Sequence, residues 1–89
     1  MQLDESTAAQ VRARLRRVEG QLAGIVRMID DGRDCEDVVT QLAAASRALS
    51  RAGVKIVASG MRQCFEAGAD GAGDASRARR MEELFLSLA

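Results

Sequence analysis

Cys35 and Cys64 are the two thiols of this sequence, and no histidine accompanies them. A thiolate is a nucleophile, a redox centre and a soft metal ligand. Without histidine, the commonest general base and the commonest nitrogen ligand for transition metals are both missing. An enzyme is therefore not expected. The first twenty residues hold no apolar core of a signal peptide, so the chain is expected in the cytoplasm. In that compartment two cysteines point to reactivity or ligation rather than to a structural staple. The competing reading is two small buried hydrophobes.

The second chemical resource is arginine. Thirteen bases balance thirteen acids, and twelve of the bases are Arg. Arg12, Arg14, Arg16 and Arg17 crowd one stretch, and between Val38 and Phe65 there are bases but no acid. Arg47, Arg51 and Lys55 stand at i, i+4 and i+8, one stripe of a helix. Guanidinium groups fork onto phosphate oxygens, so a neutral total hides a face suited to a polyanion. Charge segregation of this kind also occurs on solvated helix surfaces with no partner.

These residues must be positioned by helices. The composition is 47% hydrophobic with two aromatics and no proline, which calls for an aliphatic, helical core. No apolar run is long enough to span a bilayer. Thr7-Ala8-Ala9-Gln10 has the pattern of a capping box and predicts a helix start. Val11, Leu15, Val18, Leu22, Ile25 and Ile29 then recur at spacings of four and three, a heptad seam. Gly20 and Gly24 weaken this helix, for which close approach by another helix is the expected return. Gly32 should end it. Asp34 reads as the next cap, with Glu36 and Asp37 complementing the helix dipole. The apolar spacing then continues to Ala67-Gly68, one helix of about thirty residues. Gly68 to Asp74 reads as a flexible connector. Met81, Leu84, Phe85 and Leu88 form the stripe of a short third helix. The whole of residues 1–89 is one domain.

Length has a consequence. A thirty-residue helix is ~45 Å long, whereas a compact globule of this size is only ~30 Å across. The short third helix cannot cover two such rods, so another copy of the chain should bury their seams. On a continuous second helix, Cys35 and Cys64 are ~44 Å apart and cannot meet. They nonetheless point to one side, since twenty-nine steps of 100° end about 20° from the start. Two antiparallel copies centred near Leu49 and Ser50 would bring Cys35 to the other chain's Cys64, twice, about a two-fold axis.

Arg14-Leu15-Arg16-Arg17-Val18-Glu19-Gly20-Gln21 resembles the first-helix signature of the copper-sensing operon repressor (CsoR) family. Gly24 to Ile29, Asp34-Cys35-Glu36-Asp37-Val38 and Gln41-Leu42-Ala43-Ala44 carry the same resemblance. It spans residues from about 8 to 88, with a slightly longer loop near Ala69 to Asp74. It implies an all-α, three-helix protomer, an antiparallel homodimer and a disc-shaped homotetramer. It also implies a repressor that binds double-stranded operator DNA and lets go when an inducer occupies an inter-chain site. Arg14 and Arg51 match family arginines implicated in operator binding, and Arg17, Arg47 and Lys55 neighbour them. No aromatic is placed to stack bases, so duplex DNA read through phosphates and shape is expected.

The inducer is where this sequence departs from the copper sensors. Their two cysteines match Cys35 and Cys64, but Gly60 stands at the position of their histidine ligand. Asp34 replaces a residue that is often tyrosine, while Glu83 matches their acidic partner on the last helix. The family's trigonal site of two sulfurs and one nitrogen cannot form. Branches that rely on nitrogen ligands or a reactive N-terminus, for nickel, cobalt or formaldehyde, fit no better. The dithiol without histidine is similar to the persulfide-sensing branch, the CsoR-like sulfurtransferase repressors, whose inducers are sulfane sulfur donors. No cofactor is expected on that reading. The alternatives are Cu(I) held by Cys35 and Cys64, and a helical interaction module without DNA binding.

Overall fold

The computed structural model describes residues 2–67 and 74–88. Helix α1 spans Glu5–Asp30, and its cap is Asp4, not Thr7. The Asp4 backbone is extended and its Oδ2 accepts from the Thr7 amide at 3.1 Å. Aspartate caps as well as threonine and stands upstream, so it takes the orphan amide and leaves Thr7 buried inside the first turn. The helix closes as expected: Gly32 has φ 71°, and the Arg33 amide donates to the Met28 carbonyl at 2.9 Å.

Helix α2 spans Cys35–Ala67, thirty-three residues without interruption. Asp34 caps it, its Oδ2 accepting from the Glu36 amide at 3.2 Å. Helix α3 spans Asp74–Ser87. The connector expected from Gly68 lies outside the described residues up to position 73, and its last residue, Asp74, already opens α3.

α2 packs against α1 on one side and α3 on the other, and α1 and α3 do not meet. The molecule measures 57 × 24 × 12 Å, so its thinnest dimension is one helix with its side chains. Three helices therefore lie in a single layer. Val11, Val18 and Ile25 are buried on α1, and Ala45 and Ala52 on α2, where the small side chains let the two rods come close.

The heptad seam of α1 divides. Its alternate members Leu15, Leu22 and Ile29 stay exposed, Leu22 at 46%, as do Leu42 and Leu49 of α2. The radius of gyration is 17.1 Å, against ~12 Å for a compact domain of this length. Among the described residues Gly20 and Gly24 meet no other helix: beyond the helix's own backbone and the adjoining residues, a Cβ at Gly20 would have open space, and one at Gly24 would meet the Arg27 guanidinium at 3.8 Å. The close approach is at Gly53 instead, where a Cβ would stand 2.8 Å from Leu88 Cδ1.

Candidate functional site

Arg14 and Arg17 stand one turn apart on α1, and Arg51 and Lys55 one turn apart on α2. The antiparallel packing brings the two pairs to one side of the layer. There they line two adjoining clefts of about 350 and 340 Å³. The first is formed by Arg14, Ser50, Arg51, Val54 and Lys55, and the second by Arg14, Arg17, Gln21, Ala48 and Arg51. Arg14 and Arg51 border both, and no acid is among the described residues that line them. Among the described residues the ion pairs are Arg33–Asp37 and Arg80–Glu83, and none of the cleft bases takes part in one. Lys55 is held in place, its Nζ donating to Gln10 Oε1 at 2.9 Å.

Arg47 lines neither cleft. Gln21 and the small Ala48 and Ser50, which open the space between the arginines, carried no signal in the sequence beyond their helical spacing.

The thiols occupy opposite ends of α2. Cys35 is its exposed first residue, and Cys64 is 7% exposed near its end. The rise of the helix puts them ~44 Å apart, so the fold does not bring them together within a chain. Both lie on one side of α2, since twenty-nine steps of 100° end about 20° from the start, and Cys64 continues the stripe Gly53, Val57, Gly60. Gly60 is buried and has no side chain to ligate. Glu83 is exposed and pairs with Arg80 Nη1 at 3.1 Å.

Around Cys64 the structure adds residues that spacing did not announce. Ser59 is 1% exposed and its hydroxyl donates to Asp4 Oδ1 at 3.0 Å. Gln63 Nε2 donates to the Gln2 carbonyl at 2.6 Å and to Ser59 Oγ at 3.4 Å. Hydrogen bonds from Thr7, side chain then backbone, and from Ser59 lower the Asp4 carboxyl to about 2. Among the described residues no three His, Cys, Asp or Glu gather to hold a metal. A metal site would need Cys35 and Cys64 of two chains, a two-thiolate set that suits Cu(I) and offers it no nitrogen.

Residues 7–88 match the family described as metal-sensitive transcriptional repressor. The chain belongs to that family. Within it, this repressor-family chain is 43% identical over 51 residues to the copper-sensing transcriptional repressor RicR of Mycobacterium tuberculosis, covering 57% of the chain and 53% of RicR. It is 32% identical over 55 residues to the copper-sensing transcriptional repressor CsoR of Bacillus subtilis, covering 62% and 54%. To the CsoR of Mycobacterium ulcerans it is 38% identical over 64 residues, covering 71% and 55%. The matches thus span about half the length of these curated relatives. No solved structure matches the chain. Among the described residues no helix is long and apolar enough to cross a membrane.

Proposed function

We propose that this chain is a cytoplasmic DNA-binding repressor whose hold on its operator is set by a thiol pair shared between protomers. The observation that carries the reading is the convergence of Arg14, Arg17, Arg51 and Lys55 on joined clefts with no acid among the described residues that line them. Such a surface neutralises duplex phosphates, the sequence-independent part of DNA binding. The exposed leucines of α1 and α2 supply the surface on which a second copy seats, giving a homodimer and, by pairing of dimers, a homotetramer.

The sensing thiols are Cys35 and the other chain's Cys64, and the inducer is a sulfane sulfur donor. A cysteine thiolate attacks the sulfane sulfur of a persulfide RSSH. A new S–S bond forms, RSH leaves, and the cysteine becomes a persulfide. The second thiolate then attacks the inner sulfur, expelling hydrogen sulfide and leaving an inter-chain disulfide. The donor's sulfur is reduced and the two thiols are oxidised, so the electrons balance. A bridge between two long helices shifts their spacing and biases the assembly away from its DNA-bound form.

The copper-sensing names of RicR and CsoR favour a second reading, in which Cu(I) takes the same two thiolates. A gel shift on the DNA upstream of the protein's own operon, with polysulfide and with Cu(I), separates the two. Release by polysulfide with mass added at Cys35 or Cys64 supports the first. Tight binding of one Cu(I) per protomer with release of DNA, and no response to polysulfide, supports the second. No shift of the DNA at any salt concentration would leave an interaction module and overturn both.

A further inference from the structure

The first turn of α1 and the turn of α2 that carries Cys64 are joined through one carboxylate. Asp4 Oδ2 accepts from the Thr7 amide at 3.1 Å, which caps α1, while Asp4 Oδ1 accepts from the buried Ser59 hydroxyl at 3.0 Å. Ser59 is in turn 3.4 Å from Gln63 Nε2, which donates to the Gln2 carbonyl at 2.6 Å. The series Gln2, Gln63, Ser59, Asp4, Thr7 thus ties residues more than fifty apart in sequence, and Gln63 is the neighbour of Cys64. One turn further along α1, Gln10 accepts from Lys55, whose side chain also lines the basic cleft with Arg14 and Arg51.

We propose that this series is a latch through which the chemical state of Cys64 is read at the start of the DNA-facing helix. Cys64 and Ser59 are both nearly solvent-free, so a group added to the thiol must displace packed neighbours. The turn from Ser59 to Cys64 must then shift as a unit and carry Gln63 and Ser59 off their partners. Because the carboxylate that loses Ser59 is the one capping α1, the first turn of α1 loosens with it. The Gln10–Lys55 bond is the next tie along, and it borders the cleft that meets DNA. The latch itself stands on the hydrogen bonds alone; its use in releasing DNA rests on the function proposed above.

The test uses the full chain carrying Cys35→Ser, so that Cys64 is the sole thiol. Iodoacetamide alkylates it, forming an S–C bond with loss of iodide and the thiol proton. Hydrogen exchange of residues 5–11 is then read by mass spectrometry. Alkylation should speed exchange there by roughly tenfold, the scale of one hydrogen bond to a charged group, and leave residues 38–50 unchanged. Adding Ser59→Ala, which takes the Ser59 hydroxyl from the capping carboxylate, should give fast exchange before alkylation and no further change after it. Unchanged exchange at residues 5–11 on alkylation would overturn the latch, as would an equal rise throughout α1 and α2. Operator binding then divides the two ideas, using the chain with both cysteines and inorganic polysulfide as the probe. A Ser59→Ala variant released as completely as wild type removes the latch from gating. If wild type itself does not respond while the exchange result holds, the sensing function fails and the latch stands.

Discussion

Arg51 borders both basic clefts, so its loss should be felt most. Arg51→Ala is expected to weaken operator binding by ~1–3 kcal/mol and to lower the log–log salt slope by about one counterion per contact. Arg47→Ala, outside both clefts, should change affinity far less. Fluorescence anisotropy across a salt series reads both, and equal effects of the two would contradict the assignment. Asp4 makes a separate prediction in acid. Its folded carboxyl lies at about 2, below the ~3.9 of an unfolded aspartate. The stability it contributes is therefore present above the unfolded value and lost as pH falls through the folded one. Asparagine still caps a helix but carries no charge. The gap in melting temperature between wild type and Asp4→Asn should thus close between about pH 4 and pH 2. A gap constant over that range would remove the charge from the latch.

Among the elements, the glycines of α1 and α2 should respond in opposite ways. Gly20→Ala adds a methyl where the chain has open space, so the gain in helix propensity, ~1 kcal/mol, should appear as a higher melting temperature. Loss of assembly in that variant would instead place another protomer against Gly20. Gly53→Ala meets the flexible end of Leu88, so the same propensity gain should be offset by a displaced C-terminal turn of α3. Faster exchange of the last α3 amides would report it. Much of this layout was legible in the sequence. Gly32 and Asp34 mark the turn because positive φ and capping are local chemistry, and α2 reads as one rod because nothing in it breaks a helix. The start of α1 was misplaced at Thr7 because Asp4 has the same capping chemistry three residues earlier. The heptad seam hid two faces: spacing of three and four pools Val11, Val18 and Ile25, which are buried, with Leu15, Leu22 and Ile29, which stay exposed. Spacing grouped Arg47 with Arg51 and Lys55 on one stripe of α2, but the meeting of Arg14 with Arg51 across two helices is a product of tertiary packing that no spacing announces. The latch was not legible, since Gln2 and Gln63 are brought together by tertiary packing alone.

At the scale of the molecule, a layer one helix thick leaves too much apolar surface uncovered to stand alone. The chain exposes 6523 Å², against ~5,000 Å² for a folded monomer of its mass. Sedimentation equilibrium should therefore find a dimer or tetramer and no stable monomer. Leu49→Asp, a charge at a residue 51% exposed in the single chain, should dissociate it and lower helicity. On the proposed function, antiparallel seating of two α2 helices would bring Cys35 of one chain to Cys64 of the other, which ~44 Å of helix forbids within a chain. The most direct test treats the reduced protein with inorganic polysulfide and follows it on a non-reducing denaturing gel with peptide mapping. The expected product is a dithiothreitol-sensitive dimer joined Cys35 to Cys64, absent from both Cys35→Ser and Cys64→Ser, and restored in part when the two variants exchange subunits. A dimer that persists in either single variant, or a monomer with an internal Cys35–Cys64 bridge, would contradict the inter-chain thiol pair.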